Sequence, residues 1–279
     1  MNRRTLLRAA ALLLAAGILF SGLVYLFFPS GRVDSAIERL LEPQGLKLSP
    51  AVHKTLLPGL AWDDLQLSSA QGALLSCNRL QVRPLLLQLL TGRAVISGSA
   101  VIGNGHLDLR YALNSKRALD LSSDGINLSG IPFFKSVMGA RTAGSLWSEG
   151  KLLRGPKGLS GDLKLEVRQL EFSGVKLGAF PLPDVAGLKT QGMIRVTDSR
   201  ARLESFTLEG DGIYMRLSGD LPSGASAGVT PLYLTLEIMP KPDFLEKQKL
   251  VFMLLAKFMV SPGVYKVPIR GTFLKPVIL

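Results

Sequence analysis

The sequence predicts a mainly β protein: a long, curved, mostly antiparallel sheet, shaped as an open groove or a flattened barrel, with a few short helices. One transmembrane helix precedes the sheet. Two observations carry this prediction. From Leu46 onward, apolar and polar residues alternate with a period of two, and turns rich in glycine, asparagine and aspartate separate the segments. Before Pro29, in contrast, the twenty residues from Ala9 to Phe28 carry no charge. The first pattern is typical of antiparallel strands and the second of a membrane span.

The stretch from Leu6 to Phe28 is the predicted membrane anchor. A helix rises ~1.5 Å per residue, so about twenty uncharged residues cover ~30 Å, the thickness of a bilayer's hydrocarbon core. Arg3, Arg4 and Arg8 lie at its N-terminal side, which makes residues 1–5 a cytoplasmic stub and puts the rest of the chain across the membrane. The residues that mark the span along its length are Leu6, Leu12, Ile18, Leu23 and Phe28.

A cleaved signal peptide is the alternative to a retained anchor. The basic residues before the apolar run fit that alternative. The run is longer than a typical signal core, however, and the bulky residues from Tyr25 to Phe28 stand where small residues should precede cleavage. The pattern therefore favours a retained anchor.

Composition limits what the exported part can do. The chain has 279 residues with 47% hydrophobic and 19% charged residues, and a mean hydropathy of +0.28. The anchor explains only part of this apolar excess, so the exported domain must bury or shelter much apolar surface. The net charge of +12 is scattered, and no nucleic-acid-binding pattern accompanies it. The charge indicates either attraction to anionic lipid head groups or simply solvated strand faces. We expect no nucleic-acid partner.

Residues 29–45 form a predicted connector between the anchor and the domain. Within it, residues 32–42 read as a short amphipathic helix, because Val33, Ile37 and Leu40 recur on one stripe. Its polar face is not rich in lysine, as an interfacial helix would require. We therefore expect this helix to pack against the domain that follows.

Residues 46–279 form the predicted β-rich domain. A Gly-Asn-Gly turn at 103–105 between two alternating runs is a strong hairpin signal, and similar units follow along the chain. Helical segments are too few to cover the apolar face, so the sheet must fold back on itself or curl around a ligand. The candidate lining of such an apolar groove is Leu107, Leu109, Leu163, Leu165, Met215, Leu217, Leu232, Leu234 and Leu236.

One helix is predicted late in this domain, over about 243–259. Asp243 is a suitable N-cap with Glu246 three residues on, and Pro262 follows the segment. Since the segment is apolar nearly all round, it either plugs one end of the sheet or docks onto a membrane or partner helices. The residues that would make a docking contact are Phe244, Val251, Leu254, Leu255 and Phe258.

No constellation of catalytic or metal-binding residues stands out in the sequence. Cys77 is the only cysteine and lies among leucines, as a buried small apolar residue does. His53 and His106 lie in separate segments without ligand spacing, and the pair Asp63-Asp64 reads as a solvated turn. We expect a protein that is not an enzyme, without cofactor or metal. A histidine in a cleft beside carboxylates would reopen the enzyme hypothesis.

The order of features, and three phrases in particular, resemble a known family. FPSGRVDSAIERLLEPQGLKLS follows the anchor, LPGLAWDDLQLSS opens the β-rich part, and the segment from Gly210 to Leu279 begins with GDGIYMRLSGDLP. In these phrases the chain resembles protein N of the bacterial type II secretion system, a family with no assigned catalytic residues. Its early part is also similar to the AsmA-like envelope proteins, whose curved sheets have an apolar inner face and are linked to lipid handling.

The resemblance implies a place in the cell and two functions. The protein would be a single-pass component of the cell inner membrane, with a cytoplasmic N-terminus and a periplasmic domain. It would be an accessory part of the type II secretion system, with the membrane, other secretion subunits and lipid as partners. The alternative is an AsmA-like protein that binds or guides lipid in an apolar β-groove. If Leu232, Leu234 and Leu236 pack against another layer of the chain, the groove hypothesis fails. If they line an open trough, it gains.

Overall fold

The structure, a computed structural model, describes residues 30–55, 59–222 and 228–278. The predicted anchor, Leu6 to Phe28, lies outside these residues. Within them, every helix is too short or too polar to cross a bilayer.

A single antiparallel sheet dominates the described residues, as predicted. It contains 16 strands, and almost every strand pairs with the next one in the chain, in the order β1-β3-β4-β5-β6-β7-β8-β9-β12-β13-β14-β15-β17-β16. β2 pairs with β3 and β18 with β17, while β10 and β11 form a separate two-stranded ribbon. The strands are β1 Leu46–Ser49, β2 His53–Lys54, β3 Leu60–Ser69, β4 Gly72–Pro84, β5 Val95–Ile102, β6 Gly105–Ala112, β7 Arg117–Asn127, β8 Arg141–Gly155, β9 Gly158–Ser173, β10 Lys176–Leu177, β11 Phe180–Pro181, β12 Val185–Thr197, β13 Arg200–Gly210, β14 Ile213–Leu221, β15 Tyr233–Pro240, β16 Met259–Ser261, β17 Val264–Thr272 and β18 Lys275–Ile278.

The described residues contain only a few short helices, which also agrees with the prediction. They are α1 Ser30–Leu41, α2 Leu86–Leu90, α3 Phe133–Met138, α4 Pro242–Lys247 and α5 Lys249–Leu254, and 3₁₀ turns cover Glu42–Gln44, Leu128–Gly130 and Ala256–Phe258.

The prediction of a single helix over 243–259 is corrected by the structure. The segment is divided into α4, α5 and a 3₁₀ turn. The break falls at Gln248, whose backbone (φ −120°, ψ 34°) leaves the helical region. The side chain of Gln248 is held by the backbone of Asp184, so a tertiary contact lies at the break. Sequence periodicity alone could not show that contact.

The β-hairpin predicted around residues 103–105 is present. β5 and β6 pair from Val95↔Ala112 to Ile102↔Gly105, and Gly103 adopts φ +59° in the turn. A positive φ at this position suits glycine, which has no Cβ to clash with the backbone. Local turn chemistry therefore sets the register of these two strands.

Two apolar clusters fill the inside of the sheet. The larger cluster belongs to the C-terminal strands and includes Ile238 and Val267, both wholly buried. The smaller cluster lies under the N-terminal strands, around Trp62, and the apolar stripe of α1 packs against it through Val33 and Ile37. Ile131 and Leu146 pack against both clusters and so join them.

The sheet curls enough to bring its later strands near its first ones, although the hydrogen-bonded path in the described residues does not close into a barrel. The Gly228 amide donates to Gln44 Oε1 at 2.9 Å. The rings of Phe133, at the start of α3, and Phe273, between β17 and β18, lie 5.4 Å apart. α3 thus bridges the two halves from inside the curl.

Candidate functional site: an apolar cavity inside the curled sheet

A cavity of about 360 Å³ lies within the larger cluster. Its walls come from the inward faces of β8, β9, β13, β14, β15 and β17, with α3 across one side. Thr142 is its one polar lining side chain, and the hydroxyl of Thr142 donates to the Leu128 carbonyl oxygen at 3.3 Å. The lining therefore offers a ligand no free side-chain donor, and the Thr142 hydroxyl oxygen is its one side-chain acceptor.

A bulge in β9 keeps one long strand facing the cavity. Leu165 and Val167 line it with a period of two, and Leu170 and Phe172 line it too, one residue out of phase. Gln169 lies between the pairs with φ 52°, and the four residues 166–169 of β9 there oppose the three residues 189–191 of β12. Such an inserted residue re-aims the side chains beyond it. Without the bulge, the second pair would face outward.

A glycine in β12 leaves room for large side chains from the strands on either side of β12, and these side chains line the cavity. Gly192 of β12 lies between Leu165 of β9 and Phe206 of β13. A Cβ at this glycine would meet Phe206 Cδ2 at 2.6 Å and Leu165 Cγ at 2.7 Å. The space that a side chain would fill is occupied by these two residues, both of which line the cavity.

Four of the residues predicted to line a groove do line the cavity. They are Leu165, Met215, Leu217 and Leu236. Leu232 and Leu234, from the same predicted set, are buried in the larger cluster. The expectation of an open trough along β15 is therefore corrected. Phe252 and Leu255 of the late helical segment are buried in the same cluster.

The remaining predicted lining residues lie elsewhere on the sheet. Leu107 packs against the smaller cluster, while Leu109 lies over Gly98 and Leu163 over Gly150. Leu107 and Leu109 belong to β6, which forms no part of the cavity wall. Leu163 belongs to β9, which does form part of the wall, but it lies near the far end of that strand. The period-two alternation identified the strand faces that turn inward. It did not identify which inward-facing side chains border the cavity.

Part of the cavity wall was not predicted from the sequence. Phe134 and Met138 come from α3, and Val175, Leu177 and Leu182 come from the excursion at 174–184 between β9 and β12. Both segments are too short and irregular to show a period. Their one sequence signal is a high apolar content.

A more polar cleft of about 560 Å³ adjoins the cavity. Thr142 and Phe172 line both spaces, and the cleft adds Arg141, Glu171 and Asp184. Asp184 Oδ1 accepts the Gly174 amide at 2.8 Å, which ties the ends of the excursion together. An apolar space next to a charged cleft matches the two parts of an amphiphile.

The late helical segment covers the larger cluster, as the plug interpretation predicts. Of the residues expected to dock on a membrane or partner helix, Phe244, Val251, Leu255 and Phe258 pack inward. This corrects the docking set, because four of its five side chains pack against the larger cluster. Only Leu254 of that set is exposed.

The described residues offer little for catalysis. His53 Nε2 lies 3.4 Å from Asp63 Oδ2, but both side chains are about half exposed and Arg79 also binds Asp63. His106 is exposed on β6 opposite Asp124. In the described part of the chain, no three His, Cys, Asp or Glu residues are grouped as metal ligands are.

Cys77 is buried in the smaller cluster. Burial raises the pKa of its thiol, and this effect is larger than that of the backbone hydrogen bonds at Arg79 and Val101, which lower it. A neutral, buried thiol is a poor nucleophile. Cys77 therefore contributes to packing.

The fold and cavity define a curled antiparallel β-sheet protein with a partly open apolar cavity on the inner face of its sheet. Comparison of the chain with family models, with curated proteins and with solved structures found no match.

Proposed function

We propose that this protein is a non-catalytic, inner-membrane-anchored accessory component of a bacterial type II secretion system that acts through lipid and protein contacts in the periplasm. The apolar cavity carries the lipid part of this proposal. The secretion part rests on the sequence resemblance. An AsmA-like lipid-binding protein that works outside secretion is the second candidate, and the same cavity favours it.

The chemistry of the cavity favours a hydrocarbon ligand. Water gains little in a space without polar partners, and apolar cavities tend to stay dry. The volume of about 360 Å³ is at the lower end of the ~300–1,000 Å³ typical of ligand pockets. Burying about eight methylene groups would stabilise a complex by ~6 kcal/mol, before ordering costs, at ~0.8 kcal/mol each. One acyl chain is therefore a suitable occupant.

The adjoining cleft suits the polar end of the same molecule. Arg141 supplies a cation, Glu171 and Asp184 supply carboxylates, and Ser173 supplies a hydroxyl, so the cleft suits a head group that carries both charges better than a simple anion. Because Leu232 and Leu234 are buried in the core and only Leu236 lines the cavity, the proposal is for a small cavity and not for an open groove along β15.

The predicted span, Leu6 to Phe28, would tether this domain at the periplasmic face of the inner membrane. α1 begins at Ser30, close after that span, and Asp34 accepts the Val52 amide at 3.2 Å. Together with the packing of Val33 and Ile37, this contact holds α1 against the domain. A short, docked connector would keep the sheet near the bilayer.

The lipid proposal is tested by replacing one leucine inside the cavity and one outside it. Leu217 lines the cavity, while Leu153 on β8 is exposed. The full chain is purified, and its bound lipids are extracted and quantified by mass spectrometry. We expect bound lipid in the unmodified chain, loss of most of it in Leu217→Trp, and no loss in Leu153→Trp. Equal lipid in two folded variants, or none in the unmodified chain, would contradict the proposal.

The secretion proposal has a separate test. We expect crosslinking in intact cells, followed by purification of the full chain, to recover other secretion subunits. We also expect deletion of the gene to slow the export of a secreted protein. Recovery of lipid without subunits and with normal export would favour the second candidate, and the cavity result would stand.

A further inference from the structure

We propose that the outward face of the late helical segment is a docking surface for an anionic lipid bilayer. This apolar patch consists of Leu250 (78% exposed), Met253 (63%), Leu254 (53%), Met259 (51%) and Val260 (58%). These side chains lie within eleven consecutive residues, three of them on α5 and two on β16, with a 3₁₀ turn between the two elements. Clustered exposed apolar residues mark interaction sites, whereas single ones do not.

The patch is held rigidly at the surface. On the opposite face of the same segment, Phe252 and Leu255 are buried in the larger cluster. Phe252 lies 5.2 Å from the Tyr265 ring between centroids, and Phe258 lies 5.8 Å from Phe180. The segment is therefore apolar on both faces, but only one of them packs against the larger cluster.

Charge around the patch favours an anionic surface. Lys247, Lys249 and Lys257 are exposed within or beside the helical turns, and Lys241 precedes them. Asp243 and Glu246 are the acidic residues of this segment, so cations outnumber anions there, and the whole chain carries +12. Apolar side chains combined with lysines are typical of elements that lie in the membrane interface.

The lysines also argue against a second copy of this chain as the occupant. A two-fold contact places the same patch on both partners, so two surfaces with the same net positive charge would meet. Such like charges repel unless anions separate them. An anionic bilayer supplies those anions and accepts the apolar side chains as well.

The patch is connected to the cleft beside the cavity. Gln248, two residues before Leu250, bonds the backbone of Asp184, and Asp184 lines that cleft. Docking would bring the cleft toward the lipid head groups. The docking itself does not require lipid in the cavity, so the two proposals fail separately.

The test reads the environment of the patch in the full chain. Met253→Cys is labelled with an environment-sensitive fluorophore. The label attaches at residue 253 and not at Cys77, because Cys77 is buried. The labelled protein is reconstituted into phosphatidylcholine vesicles with and without phosphatidylglycerol. Leu153→Cys, on an exposed position of β8, is the matched control, and Leu250→Cys is a second reporter if the first variant folds poorly.

We expect the patch label to shift to the blue and to be quenched by bilayer-embedded quenchers, most strongly with phosphatidylglycerol. The control label should not respond. Adding Lys249→Gln should lower the docked-to-undocked ratio by about fivefold, from the contribution of one lysine near an anionic surface. An unresponsive patch label, equal responses at both labels, or a shift that depends only on protein concentration would overturn the proposal. The last result would indicate self-association.

Discussion

Replacing Gln248 with methionine is expected to loosen the contact between the helical segment and the cavity wall. Gln248 Oε1 accepts the Asp184 amide at 2.9 Å, and Gln248 Nε2 donates to the Asp184 carbonyl oxygen at 2.7 Å. Methionine keeps a similar length and removes both bonds. Each bond contributes a net ~0.5–1.5 kcal/mol. Because both are exposed, the lower half of that range applies, and we expect a loss of about 1–2 kcal/mol for the pair.

Hydrogen exchange of the Asp184 amide measures this loss where it occurs. A loss of about 1–2 kcal/mol corresponds to a factor of 5–30 in the opening equilibrium, so protection should fall by that factor. Gln248→Glu is the matched control, because a carboxylate still accepts the amide but cannot donate to the carbonyl oxygen. Its protection should lie between those of the unmodified chain and the methionine variant.

Two results would refute this reasoning. Unchanged protection of the Asp184 amide in Gln248→Met would mean that packing alone holds the segment. Equal losses in the methionine and glutamate variants would mean that the bond from the Asp184 amide contributes nothing. Urea unfolding of all three chains separates either result from a change in global stability.

Two further predictions concern the inside of the sheet. Gly192→Ala should destabilise the fold by about 1–3 kcal/mol in urea unfolding, since its Cβ would press on Leu165 and Phe206. The control Gly98→Ala, whose nearest neighbour would be 3.8 Å away, should be neutral or stabilising by ~0.5–1 kcal/mol, and equal effects would refute the steric reasoning. Because burial raises the pKa of the Cys77 thiol, the contribution of Cys77 to the free energy of unfolding should be constant below the ordinary thiol pKa and fall as pH rises above it, measured as the difference from Cys77→Ala. A thiol reagent should label Cys77 only upon unfolding, and rapid labelling of the folded chain would contradict its burial.

The class of the fold could be predicted because antiparallel strands show in the sequence as a period-two alternation of apolar and polar residues. In β15, Leu234, Leu236 and Ile238 are buried and alternate with more exposed neighbours, as the period of two requires. The turn at Gly103 carries the same local information. Meander order then follows, since short connections place consecutive strands side by side.

The candidate site was predicted only in part. Alternation identified Leu165, Met215, Leu217 and Leu236 as inward-facing, but it gave Leu232 and Leu234 the same status. Whether an inward side chain lines a space or fills one depends on what the rest of the chain brings opposite it. The late helix shows the same limit. Its apolar composition left a plug and a docking helix both open, while the break at Gln248 depends on a residue 64 positions earlier.

By itself the sequence determined the mainly antiparallel sheet, the short helices and the faces that turn inward, because strand pairing and amphipathic packing follow short periods along the chain. Tertiary structure alone decided how far the sheet curls, where Phe134 and Leu177 complete the wall, and that space is left among apolar side chains. It also decided that Leu255 is buried while Leu250 is left in solvent. The physical reason is that volume and exposure are set by contacts between residues distant in the chain, and no local period records those contacts.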